Sequence, residues 1–330
     1  MTDSLYIATT EPYCGKSLIS LGITELILRR TNKIGIFRPV IGNSSAQERN
    51  KNIDLLLSHF DLNLKYEDTY AFLRREVTDL LAQGHYDDVL DRIIAKYKAL
   101  ERTCDFILCI GSDLQGGAAP LEFDFNADVA KNLGCPVLIV TSAADRDVTT
   151  VVSSVHVALD AFLERGCQVV GMVVNRAEMD SFVELRIALR RELPAENIVL
   201  SVIPAHKILS SPTIKEVADQ LNCEILYGHD QLDKLAYRYL VIAMQLENYL
   251  PHLSENALLI TPGDRSDVIL SALQAHQSQC YPQISGILLS GGLKPPASVA
   301  RLLDGLPGML PILSVQTDTY DTAARVSTVR

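Results

Sequence analysis

Residues 9–22 read TTEPYCGKSLISLG, and the triplet Gly15-Lys16-Ser17 within them carries the most pointed chemistry in the chain. Between a strand and a helix such a triplet holds phosphate. Gly15 lets the backbone approach an oxyanion, Lys16 supplies a point charge, and the helix beginning there offers unpaired N–H groups. Ser17 is the candidate Mg²⁺ ligand. The full phosphate-loop pattern has a further glycine five positions before Gly15, where this chain has Thr10. A three-residue match recurs by chance, so an empty turn of the same shape competes with a phosphate site.

Other polar residues fall where a parallel sheet would gather them. A bound Mg²⁺ calls for a carboxylate from a neighbouring strand end. The residue after the run DFILCIGS supplies one in Asp113, followed by Gly116 and Gly117, which leave room for phosphate oxygens; an ordinary strand-to-loop turn is the competing reading. Asp54, Asp124 and Asn126 are further candidates near that edge, and helix capping accounts for Asp124 equally well. Asn175 ends the run VVGMVVNRA, where an asparagine amide can read a purine edge or form a turn. Near the C-terminus, GDRSD presents Asp264 and Arg265 to an anion, against a reading in which Ser266 or Asp264 caps a helix and Arg265 pairs locally. No H-E-x-x-H, G-x-S-x-G or G-x-G-x-x-G occurs.

The elements that must position these residues follow from periodicity. SLYIATT, KIGIFRPV, DFILCIG, PVLIVTS and VVGMVVNRA are short apolar runs, each followed by a stretch of helical period. Continuous runs of this kind suit strands buried on both faces, and the alternation predicts a doubly wound, mostly parallel α/β sheet. A helical insert is expected over 76–102, and Thr213 with Glu216 fits a capping box behind Pro212. A long helix is expected over about 232–250, then a second strand-helix set beginning at ALLIT. The expected domains are therefore 1–228 and a smaller α/β domain, 229–330.

Bulk properties exclude several classes. The formal charge of −10 argues against condensation on nucleic acid or anionic lipid. No apolar run is long enough to span a membrane, and no signal-like leader is visible. Seven scattered cysteines, an odd number without a C-x-x-C pair, read as reduced residues of a cytoplasmic protein.

Taken together, the first part resembles a dethiobiotin synthetase-type P-loop domain. TTEPYCGKS carries that family's loop spacing, threonine included, and FRPV puts Arg38 where those enzymes have the lysine of a lysine-proline pair. The second part resembles the small domain named for a D-R-T-G-G motif, seen as TPGDRSDVI followed by ILLSGG (Ser290, Gly291, Gly292). This domain order resembles the region upstream of the catalytic domain in long-form phosphate acetyltransferases. The resemblance implies a non-catalytic N-terminal region that binds a metabolite effector, possible ligands being Mg-ATP or another nucleotide. It also implies a homo-oligomer and, as partner, a C-terminal transferase domain on the same polypeptide, which converts acetyl-CoA and phosphate to acetyl phosphate and CoA. Two departures matter. Ile110 stands where the dethiobiotin-type strand has a glutamate, and Arg38 changes the donor geometry of the family lysine, which sets dethiobiotin synthesis itself aside. A free-standing ATPase or ligase using Lys16, Ser17 and Asp113 is the alternative, and a purely architectural region with a vestigial loop the third reading.

Overall fold

A computed structural model describes residues 2–12, 14–42, 49–112, 119–193, 198–306 and 308–329. Asp113, Gly116 and Gly117 lie outside the described residues. The chain forms two compact units, Met1–Ala205 and His206–Arg330.

The first unit runs β1 (Asp3–Thr9), α1 (Lys16–Leu28), β2 (Ile34–Ile41), α2 (Lys51–His59), β3 (Tyr70–Leu73), α3 (Arg74–Ala82) and α4 (Tyr86–Glu101). It continues with β4 (Phe106–Ile110), α5 (Ala119–Leu133), β5 (Val137–Ser142), α6 (Val148–Glu164), β6 (Val169–Ala177), α7 (Phe182–Glu192) and β7 (Val199–Pro204). The strands form one sheet in the order β3-β2-β4-β1-β5-β6-β7, parallel throughout. All eight residues of β2 are buried, as expected of a strand covered on both faces. One apolar core lies beneath α4, α5, α6 and α7, around Phe37, Tyr97 and Phe162; the other lies beneath α1 and α2, around Ile7, Ile36 and Leu108. The predicted doubly wound sheet is thus present. The expected insert over 76–102 is two helices, parted where Gly84 takes φ +82°, and strand β3 precedes them.

The sheet also fixes where a ligand can go. Chain order turns left from β1 to β2 and right from β4 to β5, so the carboxyl ends of β4, β1 and β5 flank the switch point, where an open α/β sheet leaves a crevice.

The second unit runs α8 (Lys207–Ser210), α9 (Ile214–Leu221), β8 (Glu224–Tyr227), β9 (Arg238–Val241), α10 (Leu246–Tyr249), β10 (Ala257–Pro262), α11 (Ser266–Gln277), β11 (Gly286–Ser290), α12 (Ala297–Asp304), β12 (Ile312–Ser314) and α13 (Thr319–Val326). Its sheet has the order β8-β12-β11-β10-β9, parallel except for the β8–β12 pair. Two expectations change here. The units part at Ala205/His206 rather than at 228/229, because β8 pairs with β12 and Ile214, Val217 and Leu221 of α9 pack on Leu258, Ile260 and Leu288. The long helix over 232–250 is replaced by β9 and the short α10. Tyr239 and Val241 favour extended backbone, and β9 docks in register along β10, with Arg238 opposite Ala257 and Val241 opposite Ile260. Among the described residues no helix is long and apolar enough to cross a membrane.

Candidate functional site

The loop after β1 enters the switch point and ends on Gly15, whose φ of +93° is left-handed backbone that glycine adopts at no steric cost. Helix α1 starts at the next residue with no side-chain cap and no acidic residue in its first turn. Its N-terminus therefore keeps the positive end of the helix dipole exposed to a ligand rather than to a carboxylate of its own. Lys16 is 7% exposed, and its Nζ donates to the Gly111 carbonyl at 2.7 Å, from the start of α1 to the end of β4. Thr10, in the place of the pattern's first glycine, donates its hydroxyl to Thr141 Oγ1 at 3.0 Å and so ties the loop to β5. Thr10, Gly15 and Lys16 thus come together at the carboxyl end of β1, tied to the ends of β5 and β4.

The end of β4 is held as firmly. The Asn126 carboxamide accepts from Ser112 N at 2.9 Å and from the Tyr6 hydroxyl at 2.7 Å, and donates to Ser112 O at 3.1 Å. The Ser112 hydroxyl in turn accepts from Val40 N of β2 at 3.0 Å. Ile110, 2% exposed, packs in the core beneath α1, so the glutamate missing at that position leaves an apolar wall beside Lys16 and Ser17. Among the described residues no cluster of three or more potential metal-ligating side chains exists. Ser17 is the second residue of α1.

The remaining sequence candidates are dispersed. Asp54 is ion-paired with Arg49 at 3.0 Å on the surface, and Asp124 pairs with Arg165. Arg38 sits in the middle of β2 at 4% exposed, with Nη1 3.5 Å from the Asn50 carboxamide that caps α2. Asn175 reaches the loop itself, Nδ2 donating to Cys14 O at 2.9 Å. In the second unit the Arg265 guanidinium spans both carboxylate oxygens of Asp267, at 2.9 and 2.8 Å, and donates to Met244 O at 3.2 Å. That pairing pushes the Asp267 carboxyl below, and the Arg265 guanidinium above, their usual ranges. Gly291 and Gly292, both left-handed, donate to Thr317 O and Val315 O and close the end of β11.

Sequence reasoning missed one feature outright. Beside the loop lies a groove of about 780 Å³, lined by Thr10, Glu11 and Arg146, by Phe123 of α5 and by Thr150 and Val157 of α6. Its volume is that of a small-molecule site. Glu11 pairs with Arg146 and accepts from Ser142 N at 3.3 Å. Glu11 lies two residues past β1 and Arg146 four past β5, and that place in the loops after the switch-point strands is the signal that would have found them. At the adjoining end of α6, Asp147 accepts from Thr150 N at 2.8 Å, which holds its carboxyl below the usual range.

Residues 3–213, more than half of the chain, match the family model described as an AAA domain. The chain belongs to that AAA domain family. Beyond the AAA domain, residues 216–329 match the DRTGG domain. Over 98% of its length the chain is 42% identical to a protein named phosphate acetyltransferase from Nitratidesulfovibrio vulgaris, covering 46% of that protein. Over its full length it is 41% identical to one of the same name from a Synechocystis species, covering 47%. The chain thus spans about half the length of the curated relatives it matches. Among solved structures, Cyanothece McdA in complex with ATP is similar with a TM-score of 0.41 at 12% identity, over 63% of this chain and 86% of that one. The CBS and DRTGG domains of Clostridium perfringens pyrophosphatase, complexed with diadenosine tetraphosphate, give 0.29 at 17% identity, over 34% and 45%.

Proposed function

We propose that this chain is the nucleotide-binding regulatory and assembly region of a cytoplasmic phosphate acetyltransferase, without transferase chemistry of its own. The observation that carries the binding half is the cradle at the switch point: left-handed Gly15, an uncapped α1 and Lys16 at its first position. A phosphate there would accept from the first N–H groups of α1 and draw the Lys16 ammonium from the Gly111 carbonyl. Ser17 would bind the Mg²⁺ that accompanies a nucleoside triphosphate. Asp113, which lies outside the described residues, is its proposed carboxylate partner. The parent activity is supported by the two relatives of that name, which match across nearly the whole chain. In this reading a transferase domain on the same polypeptide is the chain's working partner. The effector is a small phosphorylated metabolite.

Incubating the chain with Mg-ATP and following inorganic phosphate tests the regulatory half. The expected result is nucleotide bound without release of phosphate beyond the uncatalysed background. Mg²⁺-dependent release that disappears in Lys16→Ala would contradict it, and would make the chain an ATP-dependent enzyme in its own right.

A further inference from the structure

Strand β6 breaks its own alternation at the site. Met172 and Val174 face the core beneath α5 and α6, and Val173 faces the core beneath α1. Regular alternation would return residue 176 to the first of these cores. Instead Ala177 occupies that place, the β6–β7 register slips between Val174 and Ala177, and Arg176 takes φ +59°. An arginine in left-handed backbone is a local cost that persists where the surroundings over-determine it, and a bulge of this kind re-aims a neighbouring side chain.

The residue just before the break is Asn175, still in register with Ser142 of β5. On the α1 side of the sheet and 5% exposed, Asn175 donates from Nδ2 to Cys14 O at 2.9 Å, although β5 stands between β6 and β1. Its carboxamide also fills the space that a Cβ on Gly15 would occupy. The Asn175 carbonyl accepts from Ala143 N at 2.8 Å, which anchors the bulge to the end of β5. Two contacts on consecutive loop residues, made from a strand two places away, hold the loop in the shape that exposes the α1 N-terminus.

From this geometry we infer that Asn175 is a positioning residue that braces the phosphate loop. The inference rests on the nucleotide-binding reading above and assigns this residue's part in it. An amide bonded to a loop carbonyl acts on every phosphate ligand alike, through preorganisation of the loop, whereas a base reader acts on one nucleobase.

Two measurements on the full chain test it. In the ligand-free protein, peptides covering residues 9–18 are expected to exchange amide hydrogens about tenfold faster in Asn175→Ala and Asn175→Asp, with β1 and β2 unchanged. Unchanged exchange in the loop overturns the brace whether or not nucleotide binds. In titrations of ATP, GTP and inorganic triphosphate, each with Mg²⁺, both variants are expected to lose affinity for all three by a common factor of about ten. A loss confined to ATP overturns the inference in favour of base reading. Should the unmodified chain bind none of the three, the nucleotide reading fails, and the exchange result still decides the brace.

Discussion

Lys16 and Asn126 act on the same strand end from opposite sides. Lys16 Nζ holds the Gly111 carbonyl, and Asn126 holds both peptide groups of Ser112. Asn126 is 2% and Ser112 1% exposed, so the bonds between them are buried. Asn126→Leu is expected to cost about 1–3 kcal/mol for each Ser112 group left unsatisfied, seen as a lower denaturation midpoint. A midpoint within error of the unmodified chain would show that Ser112 finds other partners. The triplet around Lys16 was legible in the sequence because its spacing is local. The partners of Lys16 and Asn126 were not, because residues 95 and 14 positions apart meet only once the sheet has formed. The Glu11–Arg146 pair, 135 positions apart, was hidden for the same reason.

At the scale of elements, buried parallel strands were readable as unbroken apolar runs, and caps as short polar signatures. The box expected at Thr213 is present, Thr213 Oγ1 accepting from Glu216 N at 3.1 Å and Glu216 Oε2 accepting from Thr213 N at 2.8 Å. Thr213→Ala is expected to destabilise α9 by about 0.5–2 kcal/mol, read as faster amide exchange in 214–221 and a lower midpoint for the second unit. Equal exchange in the two proteins would show that packing of Ile214 and Leu221 alone holds the helix. The edge strands β3 and β9 escaped periodicity because each has only four residues, too few to separate extended from helical pattern. Their state is set by docking against β2 and β10, which no local window contains.

For the molecule as a whole, the two family matches and the two compact units show a chain built in two parts, and the cysteines report on both. Cys14, Cys104, Cys109, Cys135 and Cys167 are buried in the first unit; in the second, Cys223 is half-buried and Cys280 exposed. Burial pushes the Cys223 thiol up to about 11, which leaves little thiolate at neutral pH. A thiol reagent is therefore expected to label Cys280 rapidly, Cys223 slowly and the remaining five only on unfolding. Rapid labelling of several thiols in the native chain would contradict the packing of the first unit.

The central claim is that TTEPYCGKS is a working phosphate loop, and calorimetric titration of Mg-ATP into the chain and into Lys16→Ala tests it most directly. Acetyl-CoA and NADH serve as comparison ligands. The account predicts binding by the chain and at least a tenfold, or about 1.4 kcal/mol, loss in Lys16→Ala, since the variant removes a charge-assisted contact to phosphate. No heat with either protein, or equal affinity in both, would contradict it and leave the region an architectural one with an empty loop.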